Sequence, residues 1–436
     1  MPQTSLTYRA VVRVATAAVP LFSLTNPRVR AGHRGRRAAE RVLSDWARRE
    51  RDPGRPLAWF HASSVGEGLQ AESVIEALRA LRPRLQFVFT HFSPSSEPLA
   101  RRLLVDASAY APYDLPADID AILDSIRPDL LVFSKLDLWP ELATRAAARG
   151  VSVAIVAGTV SPGSGRLRWP ARHFLAAGYA SVTAAGAVAE PDAGRLIRLG
   201  VPGASVRVLG DPRFDSVVAR VRAAAADDPL LRFGQGAPTL VAGSTWPDDE
   251  NTLIASFAAI RADRPDARLI VVPHEPTPRR LAGLEALAAH AGLPRPARLS
   301  EASGPAPLLA VDTVGLLAAL YGAGSMAYVG GGFGRAGLHS VLEPAAWGLP
   351  VAFGPRWHES RDAALLRETG AAVSVNGADE MTAIWGSWLA DAAGCSEMGR
   401  RAREVVESGL GAARRSAEML DQLISSRPPR MSPSGE

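Results

Sequence analysis

The chain is short of several things at once. It holds a single cysteine, Cys395, in 436 residues, which excludes a disulfide framework and any multi-cysteine zinc or iron–sulfur centre. It holds a single lysine, Lys135, although lysine and arginine together number 49. Its histidines are scattered: His61, His274, His339 and His358 stand apart in sequence, each reading as a polar contact or core histidine, so no metal site is expected. A G-x-S-x-G nucleophile elbow is missing, and so is any short-period repeat. No clean run of about 20 apolar residues is available to span a bilayer.

Charge is unevenly placed. Residues 1–51 carry eleven arginines against three acids, a net of +8, while the whole chain is +5. The body is therefore slightly acidic and offers no nucleic-acid-binding surface. Residues 7–24 (TYRAVVRVATAAVPLFSL) are apolar but broken by Arg9, Arg13 and Pro20. They read as a helix lying in a membrane interface, followed by the basic NPRVRAGHRGRR that would face anionic headgroups. The bland alternative is an ordinary first helix packed on its own domain.

From residue 57 short, nearly continuous apolar runs alternate with helical stretches: LAWFHAS, QFVFTHF, DLLVFSK, VSVAIVAG, SVTAAGA and SVRVLGD. Such runs predict parallel strands covered on both faces. After a strandless connection the series restarts with TLVAGST, ARLIVVPHE, PLLAVDT, MAYVGGG, LPVAFG and AAVSVNG. Two βα series predict two doubly wound α/β domains facing a cleft. The expected division is an N-terminal membrane-associating segment over 1–50, a first domain over 51–215 and a linker over 216–237. A second domain over 238–400, closing helices over 401–425 and a disordered tail over 426–436 complete it.

Ligands of such sheets bind beyond the carboxyl ends of the strands, and the suggestive residues fall there. Glu67 follows the first run at a helix start, where a carboxylate stays ionised and suits a general base. Ser64-x-x-Glu67 is equally a capping box. Lys135 and Asp137 end the DLLVFSK run two residues apart, as a structural pair or as charges that steady a transition state. Arg213 in GDPRFD is a solvated loop residue or a bidentate anion ligand. Ser244 and Thr245 precede a helix opened by Pro247, whose free amides suit phosphate; the structural alternative is that Asp248, Asp249 and Glu250 complement its dipole.

Gly332-x-Gly334-x-x-Gly337 satisfies the dinucleotide fingerprint, but the next strand, LPVAF, lacks the ribose-binding acid. The amides from Gly337 through His339 to Ser340, with Glu343 for ribose hydroxyls, instead suit a mononucleotide. Ser340-x-x-Glu343 is again a capping box by itself.

Taken in order, these motifs resemble the 3-deoxy-D-manno-octulosonic acid (Kdo) transferases of lipopolysaccharide assembly. The markers are NPRVRAGHRGRR, HASSVGE, FSPS, YDLP, K-x-D-LWP, GDPRFD, AGSTWPDDE, VPHEP, DTVGLLAALY and YVGGGFGRAGLHSVLEPAAWGLPVAFGP, and together they cover nearly the whole chain. The resemblance implies a metal-independent, cofactor-free, inverting glycosyltransferase of GT-B fold. Its donor would be CMP-Kdo and its acceptor the lipid A precursor, lipid IVA. It would work peripherally at the cytoplasmic face of the inner membrane. It also implies Glu67 as general base, with Lys135 and Arg213 at transition-state-stabilising positions. CMP contacts would fall on Pro273 and His274, on Val314, Gly315 and Leu316, and on Ser340, Val341, Leu342 and Glu343. Many members of the family carry an acid at Lys135 and Lys at Arg213, so the charges are exchanged here and Asp137 is a candidate to share the work. Many also carry Asn at Ser340 and an acid at Leu316. The alternatives are another GT-B nucleotide-sugar transferase or epimerase, and a non-catalytic lipid-A-binding relative.

Overall fold

The computed structural model describes residues 3–225 and 228–426. The chain divides into two compact units, residues 1–216 with 410–436, and residues 217–409. Each is built on one seven-stranded sheet.

In the first unit the strands are β1 (Leu57–Ala62), β2 (Gln86–His91), β3 (Ala107–Tyr110), β4 (Leu130–Ser134), β5 (Ser152–Gly158), β6 (Ala184–Ala187) and β7 (Val206–Val208). They lie in the order β3-β2-β1-β4-β5-β6-β7, and every pair is parallel. Side-chain alternation explains why the runs are apolar throughout. Leu57 and Trp59 of β1 enter one core with Leu43, Trp46 and Ile119. Ala58 and Phe60 enter the other with Phe87, Leu130 and Leu420. A strand buried on both faces has no position left for polar residues. The edge strand β3 escaped prediction because ASAY is short and only half-buried.

The second unit holds β8 (Thr239–Thr245), β9 (Arg268–Pro273), β10 (Ala297–Arg298), β11 (Leu308–Ala310), β12 (Met326–Val329), β13 (Val351–Phe353) and β14 (Ala372–Ser374). Their order is β10-β11-β9-β8-β12-β13-β14, again parallel throughout. The two-residue β10 carries too little pattern to be read from sequence.

Several stretches differ from the expected division of the chain. The basic segment after Asn26 is a helix, Pro27–Glu50, whose inner face (Ala39, Leu43, Trp46) is core to the first unit. Gly35 lets this helix approach Tyr110 closely, since a Cβ there would sit 2.2 Å from the ring. The strandless connection 216–237 contains the later turns of the helix Pro212–Ala225 and a 3-10 turn, Pro229–Gly234. The closing stretch is two helices, and the second, Ala412–Ser425, packs Ala417, Met419 and Leu420 into the core of the first unit. From residue 427 the expected tail lies outside the described residues.

The helix Leu6–Thr25 buries none of its residues. Leu6, Val14, Leu21, Phe22 and Leu24 are all at least 65% exposed, a row of apolar side chains with no covering from the protein. Its first turn is tied down: Tyr8 Oη donates to Asp114 Oδ2 at 2.6 Å, and Arg9 Nε donates to buried Glu141 Oε2 at 3.0 Å. Among the described residues no helix is long and apolar enough to cross a membrane.

Candidate active site

In the first sheet the strand order reverses at β1, so the chain leaves β1 and its neighbour β4 in opposite senses. That is where doubly wound sheets bind ligands. His61 pairs with Phe133 in register, which sets the exits of these two strands side by side. Glu67, Lys135 and Asp137 therefore meet although nearly 70 residues separate them in sequence.

Glu67 stands in the first turn of the helix Val65–Leu81, and the capping box is real. Ser64 Oγ accepts from Glu67 N at 3.4 Å, while Glu67 Oε2 accepts from Ser63 N at 3.0 Å and Ser64 N at 3.2 Å. The functional and structural readings are thus not rivals: the cap spends one carboxylate oxygen and leaves the other to neighbouring side chains. Oε1 faces Lys135 Nζ at 4.0 Å. Lys135 adopts φ +63°, a left-handed conformation that costs a side-chain-bearing residue and persists where surroundings enforce it. Its backbone N–H donates to Val156 O at 2.8 Å.

Burial first, and the charge and hydrogen-bonding of Asp137 second, raise the Glu67 carboxyl above the ordinary carboxylate range; Lys135 and the Ser64 amide oppose them. A carboxylate so tuned is a stronger base than a free one. Asp137 is steadied in turn by Arg166, Nη2 to Oδ1 3.0 Å, a residue from the loop after β5 that the sequence did not single out.

Beneath the pair runs a fixed chain of donors. Trp139 Nε1 donates to His61 Nε2 at 2.9 Å, which leaves Nδ1 as the protonated nitrogen facing Thr90 Oγ1 at 3.0 Å. Full burial depresses the His61 pKa to about 4, so His61 is a neutral spacer here and not an acid–base group. One turn beyond Glu67, Gln70 Nε2 donates to Asp211 Oδ1 at 3.2 Å. Asp211 also grips Arg213, Nη2 to Oδ2 2.7 Å, which places that guanidinium beside the same helix.

The second sheet reverses at β8. A bulge after Gly243, made by Ser244 at φ +54°, turns the exit of β8 toward that of β9. Thr245 Oγ1 is consumed inside the fold by Glu250 Oε1 at 2.8 Å. Trp246 stacks on His274 with centroids 5.0 Å apart, and His274 stacks on His339 at 4.5 Å. Topology brings together two histidines that stand apart in sequence, stacking them where three strand exits meet. His339 Nε2 accepts from Trp246 Nε1 at 3.1 Å, and burial and the neighbouring His274 lower its pKa to about 4.

The loop from Gly330 to Ser340 also departs from expectation. The helix starts at Leu342 and is six residues long, Leu342–Trp347, so the amides from Gly337 to Ser340 precede it. Ser340 and Glu343 form no capping box. Ser340 Oγ accepts from Leu342 N at 3.4 Å, and Glu343 instead meets Arg220, Nη2 to Oε1 2.9 Å. Gly337 (φ +83°) is exposed. Pro273 closes β9 and is buried, whereas Val314, Gly315 and Leu316 follow β11, two strands from β8, with Val314 75% exposed. Val341 and Leu342 are buried in the core. Among the described residues no three His, Cys, Asp or Glu side chains gather as a metal site would require.

The family model of the 3-deoxy-D-manno-octulosonic-acid transferases matches residues 36–216. Along most of its length the chain is 29% identical to the 3-deoxy-D-manno-octulosonic acid transferase of Bordetella pertussis, over 393 residues that cover 85% of this chain and 88% of the relative. This likeness to the Kdo transferases runs along most of the chain. The corresponding enzyme of Chlamydophila psittaci is 28% identical over 315 residues, 71% of this chain and 72% of that one. Kdo transferases are glycosyltransferases, and so is this chain. Among solved structures, the UDP-GlcNAc 2-epimerase of Neisseria meningitidis, bound to UDP-GlcNAc, superposes with a TM-score of 0.61 at 12% identity, covering 85% of this chain and all of the other. That likeness is one of fold, and it places the two sheets in the GT-B class.

Proposed function

We propose that the protein is a Kdo transferase that moves Kdo from CMP-Kdo to the lipid A precursor, inverting the configuration at the anomeric carbon. The observation that carries the proposal is Glu67, with one carboxylate oxygen held by two amides and the other turned to Lys135, its basicity raised by burial and Asp137. Glu67 takes the proton of the acceptor's 6′-hydroxyl as the oxygen bonds to the anomeric carbon. The bond from that carbon to the CMP phosphate oxygen breaks in the same step, and CMP leaves as an anion that needs no proton. Lys135 and Arg213 supply positive charge, and no metal is assigned a part. On the second unit the exposed amides around Gly337 hold the phosphate, and the Trp246–His274–His339 stack lies against the nucleotide. The test is acceptor-dependent CMP release by the full chain in detergent; CMP binding without release would turn the reading toward a non-catalytic relative.

We further propose peripheral attachment to the inner membrane's cytoplasmic face through the helix Leu6–Thr25. Its uncovered row of Leu21, Phe22 and Leu24 would enter the acyl region, while the arginines of the following helix face anionic headgroups. Burying one large apolar side chain is worth about 1.5–3 kcal/mol. Replacing Leu21 and Phe22 together by Asp should therefore lower co-flotation with anionic vesicles at least ~100-fold, with CMP binding retained. Equal flotation of both proteins would refute the attachment.

A further inference from the structure

At the carboxyl ends of β12 and β13, wholly within the second unit, a cavity of about 750 Å³ opens between two loops, with Gly334, Arg335 and Gly337 on one wall and Pro355, Arg356 and His358 on the other. Its base is rigid. Gly332 and Gly354 pass back to back, so close that a Cβ on Gly332 would lie 2.7 Å from Gly354 N, and the Arg356 amide donates to Gly332 O at 2.9 Å. The Arg335 and Arg356 guanidinium groups have no hydrogen bond or ion pair among the described residues. Other arginines of this unit do: Arg264 meets Asp266, Arg280 meets Glu250 and Arg298 meets Glu285. A single acid, Glu359, lines the same cavity. Two uncommitted guanidinium forks on a fixed concave wall are suited to a planar anion, and a carboxylate matches them bidentately.

We propose that Arg335 and Arg356 form a subsite for the carboxylate of a nucleotide-activated acidic keto sugar. This deepens the donor reading above and rests on it. In an activated 2-ulosonic acid the anomeric carbon carries both the carboxylate and the phosphate ester oxygen, so the two anionic groups are immediate neighbours. Gly337, whose exposed amide is assigned to the phosphate, lines the same cavity as the two arginines. One wall thus addresses both charges. A nucleotide carrying a neutral hexose has nothing to offer the arginines, so the pair selects for the acid.

The test compares the full chain with its Arg356→Gln and Arg335→Gln variants. Losing a hydrogen-bonded charge contact should raise the KM for CMP-Kdo about 10- to 100-fold, with the inhibition constant of CMP itself unchanged within about twofold. A parallel rise for CMP would overturn the proposal by assigning the arginines to the phosphate, and no change for either ligand would overturn it outright. A second readout needs no turnover: saturation-transfer NMR of free Kdo and of its methyl ester with the same three proteins. Binding of the acid alone, lost in both variants, supports the subsite even if transfer is never seen, in which case only the transfer reading falls. Equal binding of acid and ester, or none by the unaltered chain at millimolar ligand, overturns the subsite.

Discussion

Glu67→Gln should lower acceptor-dependent CMP release by about 10²–10⁴-fold, the usual contribution of a positioned general base, with CMP binding and folding unchanged. Glutamine is the informative replacement because its amide carbonyl can still accept from the Ser63 and Ser64 amides that now hold Oε2. The cap survives and only the basicity is lost. Glu67→Ala would mix the two effects, removing the side-chain half of a capping box worth about 1 kcal/mol. The pH profile gives a second handle. Glu67 works as the carboxylate, so the rate rises with pH through its carboxyl pKa, and burial and then Asp137 place that limb above the ordinary carboxylate range. Asp137→Asn removes a like charge and should carry the acid limb to lower pH. Removing Lys135 should carry it higher. A Glu67→Gln protein that retained more than a tenth of the rate would dismiss Glu67 as the base.

Asp249→Ala should be among the most destabilising single changes in the second unit, by about 3–5 kcal/mol. The carboxylate is fully buried. It accepts from Trp246 N at 2.9 Å, Gly331 N at 2.8 Å and Tyr328 Oη at 2.8 Å. Alanine would leave two amides and a phenol without partners inside the fold, each costing about 1–3 kcal/mol, not fully additively. The same bonds hold the start of the Trp246 helix against the glycine loop, so nucleotide binding should weaken before the protein unfolds. Chemical denaturation checks the first effect and CMP titration the second. A loss below about 1 kcal/mol would mean that the loop re-forms without the carboxylate.

These two residues also mark what sequence can and cannot disclose. Glu67, Lys135 and Asp137 were legible because a parallel strand buried on both faces is an apolar run that ends abruptly, and the polar residue after it lies at the strand's carboxyl end by construction. Asp249 was legible only as one of three acids in a first helical turn. Its hub role depends on Tyr328 and Gly331, about 80 residues on, and no local pattern encodes that meeting. Arg166 and Asp137 are likewise joined by a loop path, not by a period. The stack of Trp246, His274 and His339 needs three strand exits to converge, which strand order dictates and spacing does not. Ser340-x-x-Glu343 failed in the opposite way: its local pattern was right for a cap, but Arg220 claimed the glutamate and the helix began later.

The return of the last helix to the first unit has a consequence for how the chain is made. Residues 217–409 are contiguous, so that unit can close as soon as it clears the ribosome. The earlier-made sheet cannot: Met419, Leu420 and Ile424 complete its core, and the Asp215 carboxylate waits to accept from Gly411 N and Ala413 N at 2.8 and 3.0 Å. During synthesis the amino-terminal half therefore carries an uncovered apolar face for some 200 further residues, the condition in which nascent chains are most open to misassembly and to chaperones. A stop codon after Gly409 would spare the second unit and ruin the first.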